Sequence, residues 1–79
     1  MRVDKYLKVS RIIKRRTLAA QACEAGRVLI NNKASKPSAE VKVDDILEVR
    51  FGSNTLKIKV ISLKEVVKKN ESDLMYEVL

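Results

Sequence analysis

Lys14-Arg15-Arg16-Thr17-Leu18-Ala19-Ala20-Gln21-Ala22-Cys23-Glu24-Ala25-Gly26-Arg27-Val28-Leu29-Ile30-Asn31 changes its hydrophobic period part-way along, and that change decides the fold class. Leu18, Ala19, Ala22, Cys23 and Ala25 give an apolar face to a helix that starts between Arg15 and Thr17. Their small side chains suit close packing against another element. Gly26 ends the helix, because glycine enters the left-handed conformation of a helix C-terminus without steric cost. Beyond it the period becomes two, and Val28 and Ile30 face one way from a short strand.

Working outward toward the N-terminus, Val3 and Leu7 lie four apart, while Arg2, Lys5 and Lys8 lie three apart. A first short helix therefore separates an apolar stripe from a basic one. In the other direction, Asn31-Asn32 predicts a tight turn, since asparagine tolerates positive φ. Ser35-Lys36-Pro37-Ser38 reads as a loop, with Pro37 excluded from a central strand. Val41 and Val43 alternate with Lys42 in strand fashion, and Asp44-Asp45 marks a turn. Leu47, Val49 and Phe51 then share an apolar face, with Glu48 and Arg50 on the other. Gly52-Ser53-Asn54 closes a hairpin onto a strand with Leu56, Ile58 and Val60 inward and Lys57 and Lys59 outward. Lys68 to Asp73 reads as a surface turn and Met75 to Leu79 as a last strand. The expectation is one α+β domain over residues 1–79, two short N-terminal helices packed on a small antiparallel sheet, with 64–79 as a C-terminal extension. The Met1 start and the apolar ending Met75 to Leu79 lead us to expect a complete small protein.

Composition removes most enzyme classes. A 79-residue chain has little volume for an internal cleft. It has no histidine and one cysteine, so the usual zinc sites and a Cys–His nucleophile pair are excluded. Its two glycines, Gly26 and Gly52, form no phosphate-binding loop. Asp44 and Asp45 are explained by their turn. We expect no catalytic residue, no metal and no cofactor. Cys23 reads as a core residue on the small-residue helix face. No apolar stretch approaches membrane-spanning length, and nothing at the N-terminus looks like a signal peptide, so a cytoplasmic protein is expected.

Charge is what remains. Of the net +7, the first sixteen residues carry +6: Arg2, Lys5, Lys8, Arg11, Lys14, Arg15 and Arg16 against Asp4 alone. A solvated helix face mixes signs for i,i+4 pairing, and this one does not. Lys14-Arg15-Arg16 also stand at a helix start, where the dipole prefers anions. An anionic ligand reverses that sign, since backbone amides and side chains can grip one phosphate together. Membrane binding is the weaker option, because Val3, Tyr6, Leu7 and Val9 offer too little apolar area to insert. The three aromatic residues, Tyr6, Phe51 and Tyr76, are too few for a base-stacking platform. Phosphates, sugars and shape are then the features read, which suits folded RNA, although the residues alone leave DNA open. Lys57 and Lys59 are read as solubilising edge charges rather than contacts.

Three stretches, Arg2-Val3-Asp4-Lys5-Tyr6-Leu7, Lys14-Arg15-Arg16-Thr17-Leu18-Ala19 and Gly26-Arg27-Val28-Leu29-Ile30-Asn31, together resemble the RNA-binding domain named after ribosomal protein S4, also called the αL motif. The likeness is close over 1–51 and looser beyond. Ser35-Lys36-Pro37-Ser38 is similar to a loop of the stand-alone branch related to heat-shock protein fifteen. Lys5 to Arg11 and Lys14 to Thr17 resemble a Gram-positive group acting in ribosome-associated quality control. The resemblance implies a non-enzymatic, monomeric protein that binds rRNA and tRNA on a large ribosomal subunit carrying peptidyl-tRNA. It would assist alanine tailing of the stalled chain, with a nascent-chain tailing factor as a further partner. By position, Arg2, Lys5, Arg11, Lys14, Arg15 and Arg16 would line an RNA-facing groove, with Arg27 and Asn31 at its edge. Arg15 replaces the family's small hydroxyl residue, adding charge and removing a hydroxyl contact. Asp4 is expected to orient an arginine or cap amides rather than meet RNA. Ser35 and Lys36 are weaker contact candidates, since a proline-containing loop is its own explanation. The alternative implied by the same likeness is an accessory domain of an RNA-modifying enzyme such as a pseudouridine synthase.

Overall fold

The change of period at Gly26 divides the fold into helices before it and a sheet after it. A computed structural model describes the backbone of residues 1–79 and the side chains of all but 72 and 73. Helix α1 spans Val3–Val9 and α2 spans Arg16–Glu24. Strands β1 (Val28–Ile30), β2 (Lys33–Ala34), β3 (Ile46–Phe51) and β4 (Asn54–Val60) follow, then a 3-10 helix, Lys69–Met75, and β5, Tyr76–Val78. The five strands form one antiparallel sheet in the order β2-β1-β3-β4-β5.

Register sets the inner face. Ile30 pairs with Leu47, Leu47 with Ile58 and Ile58 with Val78, while Val28 pairs with Val49 and Val49 with Leu56. Alternation then points these residues to one side, where α1 covers all but the exposed Val78 with Val3, Tyr6 and Leu7, and α2 adds Ala19 and Cys23. Tyr6 clamps the two ends of the chain together. Its buried hydroxyl donates to the Met75 carbonyl at 2.7 Å. Burial pushes the Tyr6 phenol far above its ordinary range, and nearby Tyr76 adds to the effect. The two-residue β1–β2 turn has Asn31 at φ 50 and Asn32 at φ 70, the mirror-image turn that suits the twist of a hairpin.

Three expectations need correction. Val41 to Val43 is not a strand: Val41 is buried and its N–H donates to the Met1 carbonyl, but Asp44 at φ 76 turns the chain at once. The Asp45 carboxylate accepts from the Lys42 N–H at 2.8 Å, and Val43 is left exposed. Helix α2 buries a narrower stripe than expected, Ala19 and Cys23 with Ala22 partly covered; Leu18 and Ala25 face solvent. The cause is that α2 leans mainly on α1 and meets the sheet chiefly along β1. Phe51 has the parity of Leu47 and Val49 but stands at the hairpin tip beyond the helices, and is 44% exposed.

Candidate nucleic-acid interface

Helix α1 stops because residue 11 turns left-handed. Arg11 has φ 63, its N–H donates to the Lys8 carbonyl, and the Ile13 N–H returns to the Leu7 carbonyl at 3.0 Å. A left-handed residue just past a helix end is the position that normally recruits glycine. Ile13 drops back into the core, so the connecting segment is anchored and Arg11, Lys14 and Arg15 are held on the surface. Arg15 is the extended residue before α2, and among the described residues no side chain caps that helix and no acid occupies its first turn.

Asp4 joins the two helices. It is 3% exposed, and an ionised carboxylate that deep must be partnered. One oxygen accepts from Arg2 Nη2 at 3.1 Å. The other accepts from the Lys5 N–H at 2.7 Å and, at the limit of hydrogen bonding, from Arg16 Nη2 at 3.5 Å. Arg2 precedes α1 and Arg16 opens α2, so one buried carboxylate aligns guanidinium groups from two elements. About half of each arginine side chain stays open to solvent. Lys8 on α1 and Arg11, Lys14 and Arg15 in the segment between the helices are exposed and form no ion pair among the described residues.

The helices, β1, β2 and this cationic cluster all lie within residues 1–47, the stretch that matches the S4 domain. The chain belongs to the S4 domain family. Over its whole length it is 49% identical to the RQC P-site tRNA stabilizing factor of Bacillus subtilis, covering 92% of that protein. It is 48% identical to the factor of the same name from Streptococcus pneumoniae, again over all 79 residues and 90% of that protein. Heat Shock Protein 15 of Vibrio cholerae, solved as a trimer, has the same fold: the TM-score is 0.93 at 28% identity, with 100% of this chain and 81% of that one covered.

The S4 domain does not gather every expected contact. Lys5 is partly covered, and its ammonium pairs with Glu65 at 3.3 Å rather than standing free. Arg27 is exposed but follows the C-terminal end of α2, roughly 13 Å of helix away from Arg16. Asn31 has its amide engaged: Oδ1 accepts from the Ile46 N–H at 3.0 Å and Nδ2 donates to Asp45 at 3.1 Å. Its evident work is to hold the hairpin against the 44–45 turn. Lys8, absent from the expected contacts, is exposed on the same helix, and the three-residue spacing of Arg2, Lys5 and Lys8 already signalled it. Nothing in the sequence signalled Glu65, because its partner lies sixty residues away.

Chemically the surface offers hydrogen-bond donors and positive charge. Among the described residues no cluster of His, Cys, Asp and Glu could hold a metal, and no helix is long and apolar enough to cross a membrane. Burial pushes the Cys23 thiol up, an effect that its hydrogen bond with Ser35 only partly opposes, so it stays a protonated core group.

Proposed function

We propose that this S4 domain protein is a non-enzymatic RNA-binding factor of ribosome-associated quality control. It acts in the cytoplasm as a monomer, on a large ribosomal subunit that carries peptidyl-tRNA, where it touches both rRNA and P-site tRNA. By steadying that tRNA it assists alanine tailing of the stalled nascent chain by a separate tailing factor. The observation that carries the reading is the Asp4-centred pair, Arg2 and Arg16, on the same two-helix unit as four exposed cations without ion pairs among the described residues. Arginine pairs with phosphate through two parallel N–H groups, and fixing the guanidinium beforehand removes much of the ordering cost of binding. Related proteins named as P-site tRNA stabilizing factors support the choice of RNA and of ribosome.

The test is sedimentation of a tagged copy through a sucrose gradient, from cells with stalled ribosomes, followed by sequencing of the bound RNA. The expected result is recovery with free large subunits and tRNA, lost in Arg16→Ala. Recovery with messenger RNA, with lipid, or with no RNA refutes the proposal.

A further inference from the structure

Between the C-terminal end of α1 and the segment 65–67 lies a cleft of about 160 Å³, lined by Lys8, Val9, Arg11, Glu65, Val66 and Val67. It holds about five water molecules and falls short of the roughly 300–1,000 Å³ of cofactor sites, so one flat ring system is the scale of ligand it suits. Three valines line it, and Val66 is 89% exposed, the highest value among the exposed large apolar side chains. Lys8 and Arg11 stand on its rim without ion pairs among the described residues, and Arg11 is held there by a left-handed backbone. Glu65, the single acid of the lining, is paired with Lys5 at 3.3 Å, which leaves the rim net positive.

A cleft in which valine side chains stand beside cations that have no ion pair among the described residues matches a nucleotide taken out of its stack: a base has two apolar faces and carries phosphates on either side. We propose that this cleft receives a single unpaired nucleotide of the RNA partner. Its base lies against Val9, Val66 and Val67, and its flanking phosphates are held by Lys8 and Arg11. The proposal rests on the RNA-binding reading above and adds a second element to it. The Asp4-centred arginines grip a paired stem through phosphates, and the cleft selects a stem that has one nucleotide out.

The test compares two labelled RNA hairpins with the same stem, one fully paired and one with a single bulged adenosine, against the wild-type chain and Val66→Ser. Val66 is too exposed for serine to disturb folding, and a melting curve checks this. Removing about 60 Å² of apolar surface from water when one base packs against the valines should raise wild-type affinity for the bulged hairpin about tenfold over the paired one. Val66→Ser should lose that gain while binding the paired hairpin as the wild type does. Equal wild-type affinity for the two hairpins, or a gain that survives in Val66→Ser, overturns the cleft assignment and leaves the arginine reading standing. Failure to bind either hairpin overturns the RNA-binding reading, and the cleft assignment with it.

Discussion

Arg11→Gly separates what residue 11 does for the fold from what it does for binding. At φ 63 an L-residue suffers a clash between its Cβ and the following carbonyl, worth about 1–2 kcal/mol. Glycine removes the clash but has more freedom to lose on folding, which offsets about 0.5–1 kcal/mol. Nothing else restrains the residue: it is exposed and unpaired among the described residues, so its side chain leaves no cavity. The net expectation is a gain of about 0.5–1 kcal/mol, which for a domain of this size raises the melting temperature by about 2–8 °C.

The same change should weaken RNA binding. One phosphate contact contributes about 0.9 to the log–log salt slope, and at physiological salt that corresponds to about fivefold in affinity. Thermal unfolding followed by circular dichroism gives the first quantity, and anisotropy of a labelled RNA stem over a range of salt gives the second. Arg11→Ala is the control, because it removes the charge but keeps the Cβ: binding should fall as far, with no gain in stability. If Arg11→Gly melts no higher than Arg11→Ala, the backbone reasoning is wrong. If affinity and salt slope match the wild type, Arg11 meets no phosphate.

Arg16→Ala should weaken RNA binding far more than Lys57→Ala, since only Arg16 belongs to the aligned pair; equal losses mean that net charge alone matters. Each of Arg2→Ala and Arg16→Ala should shift the melting temperature little, because one guanidinium and the Lys5 N–H still satisfy Asp4. Removing both strands a buried carboxylate, so the double variant should lose about 1–3 kcal/mol beyond the sum of the single changes, and additivity in chemical denaturation counts against the shared-carboxylate account. Asn31→Gly keeps a residue that accepts φ 50 but deletes two side-chain hydrogen bonds, so it should cost about 1–2 kcal/mol and leave RNA affinity unchanged; a loss of affinity at constant stability would make Asn31 a contact. The Tyr6 phenol, raised by burial, keeps its proton in the folded chain at pH values where the unfolded chain releases it. Stability should therefore fall as pH climbs past about 10, with a limiting slope of about 1.4 kcal/mol per pH unit from this group. Tyr6→Phe should be about 1 kcal/mol less stable at neutral pH and should lose that slope; an unchanged alkaline slope assigns it elsewhere.

Where local chemistry decides, the sequence could be read. Gly26 ending a helix, Asn31-Asn32 making a two-residue turn and the Leu47–Val49 and Leu56–Val60 alternation all depend on near neighbours, and all occur. Elements whose fate depends on distant parts could not be read so well. Val41 has strand chemistry, but the chain it meets is only Met1 and Arg2, which offer one isolated bridge instead of a ladder. Leu18 has the periodicity of a core residue, yet whether a helix face is covered depends on how far the sheet extends beneath it. The candidate site shows the same division. Its cations were legible from their spacing and sign, whereas Glu65 and the engaged amide of Asn31 were not, because each is defined by a contact made in three dimensions.

A surface that must attract phosphate faces an internal conflict, since the cations that bind the ligand repel one another when it is absent. The arrangement around Asp4 resolves part of it. The one acid among the first sixteen residues is buried between the two arginines that gain most from it, rather than spent on the surface where solvent would screen it. Placed there it lowers the repulsion between Arg2 and Arg16 and restrains their side chains, yet leaves about half of each open to solvent. Lys8, Arg11, Lys14 and Arg15 receive no such counter-charge among the described residues, so their repulsion is left to mobile counterions until a polyanion arrives. The two groups of cations should therefore differ in their response to salt. The unpartnered four should account for most of the slope, and the aligned pair for most of the affinity that persists at high salt.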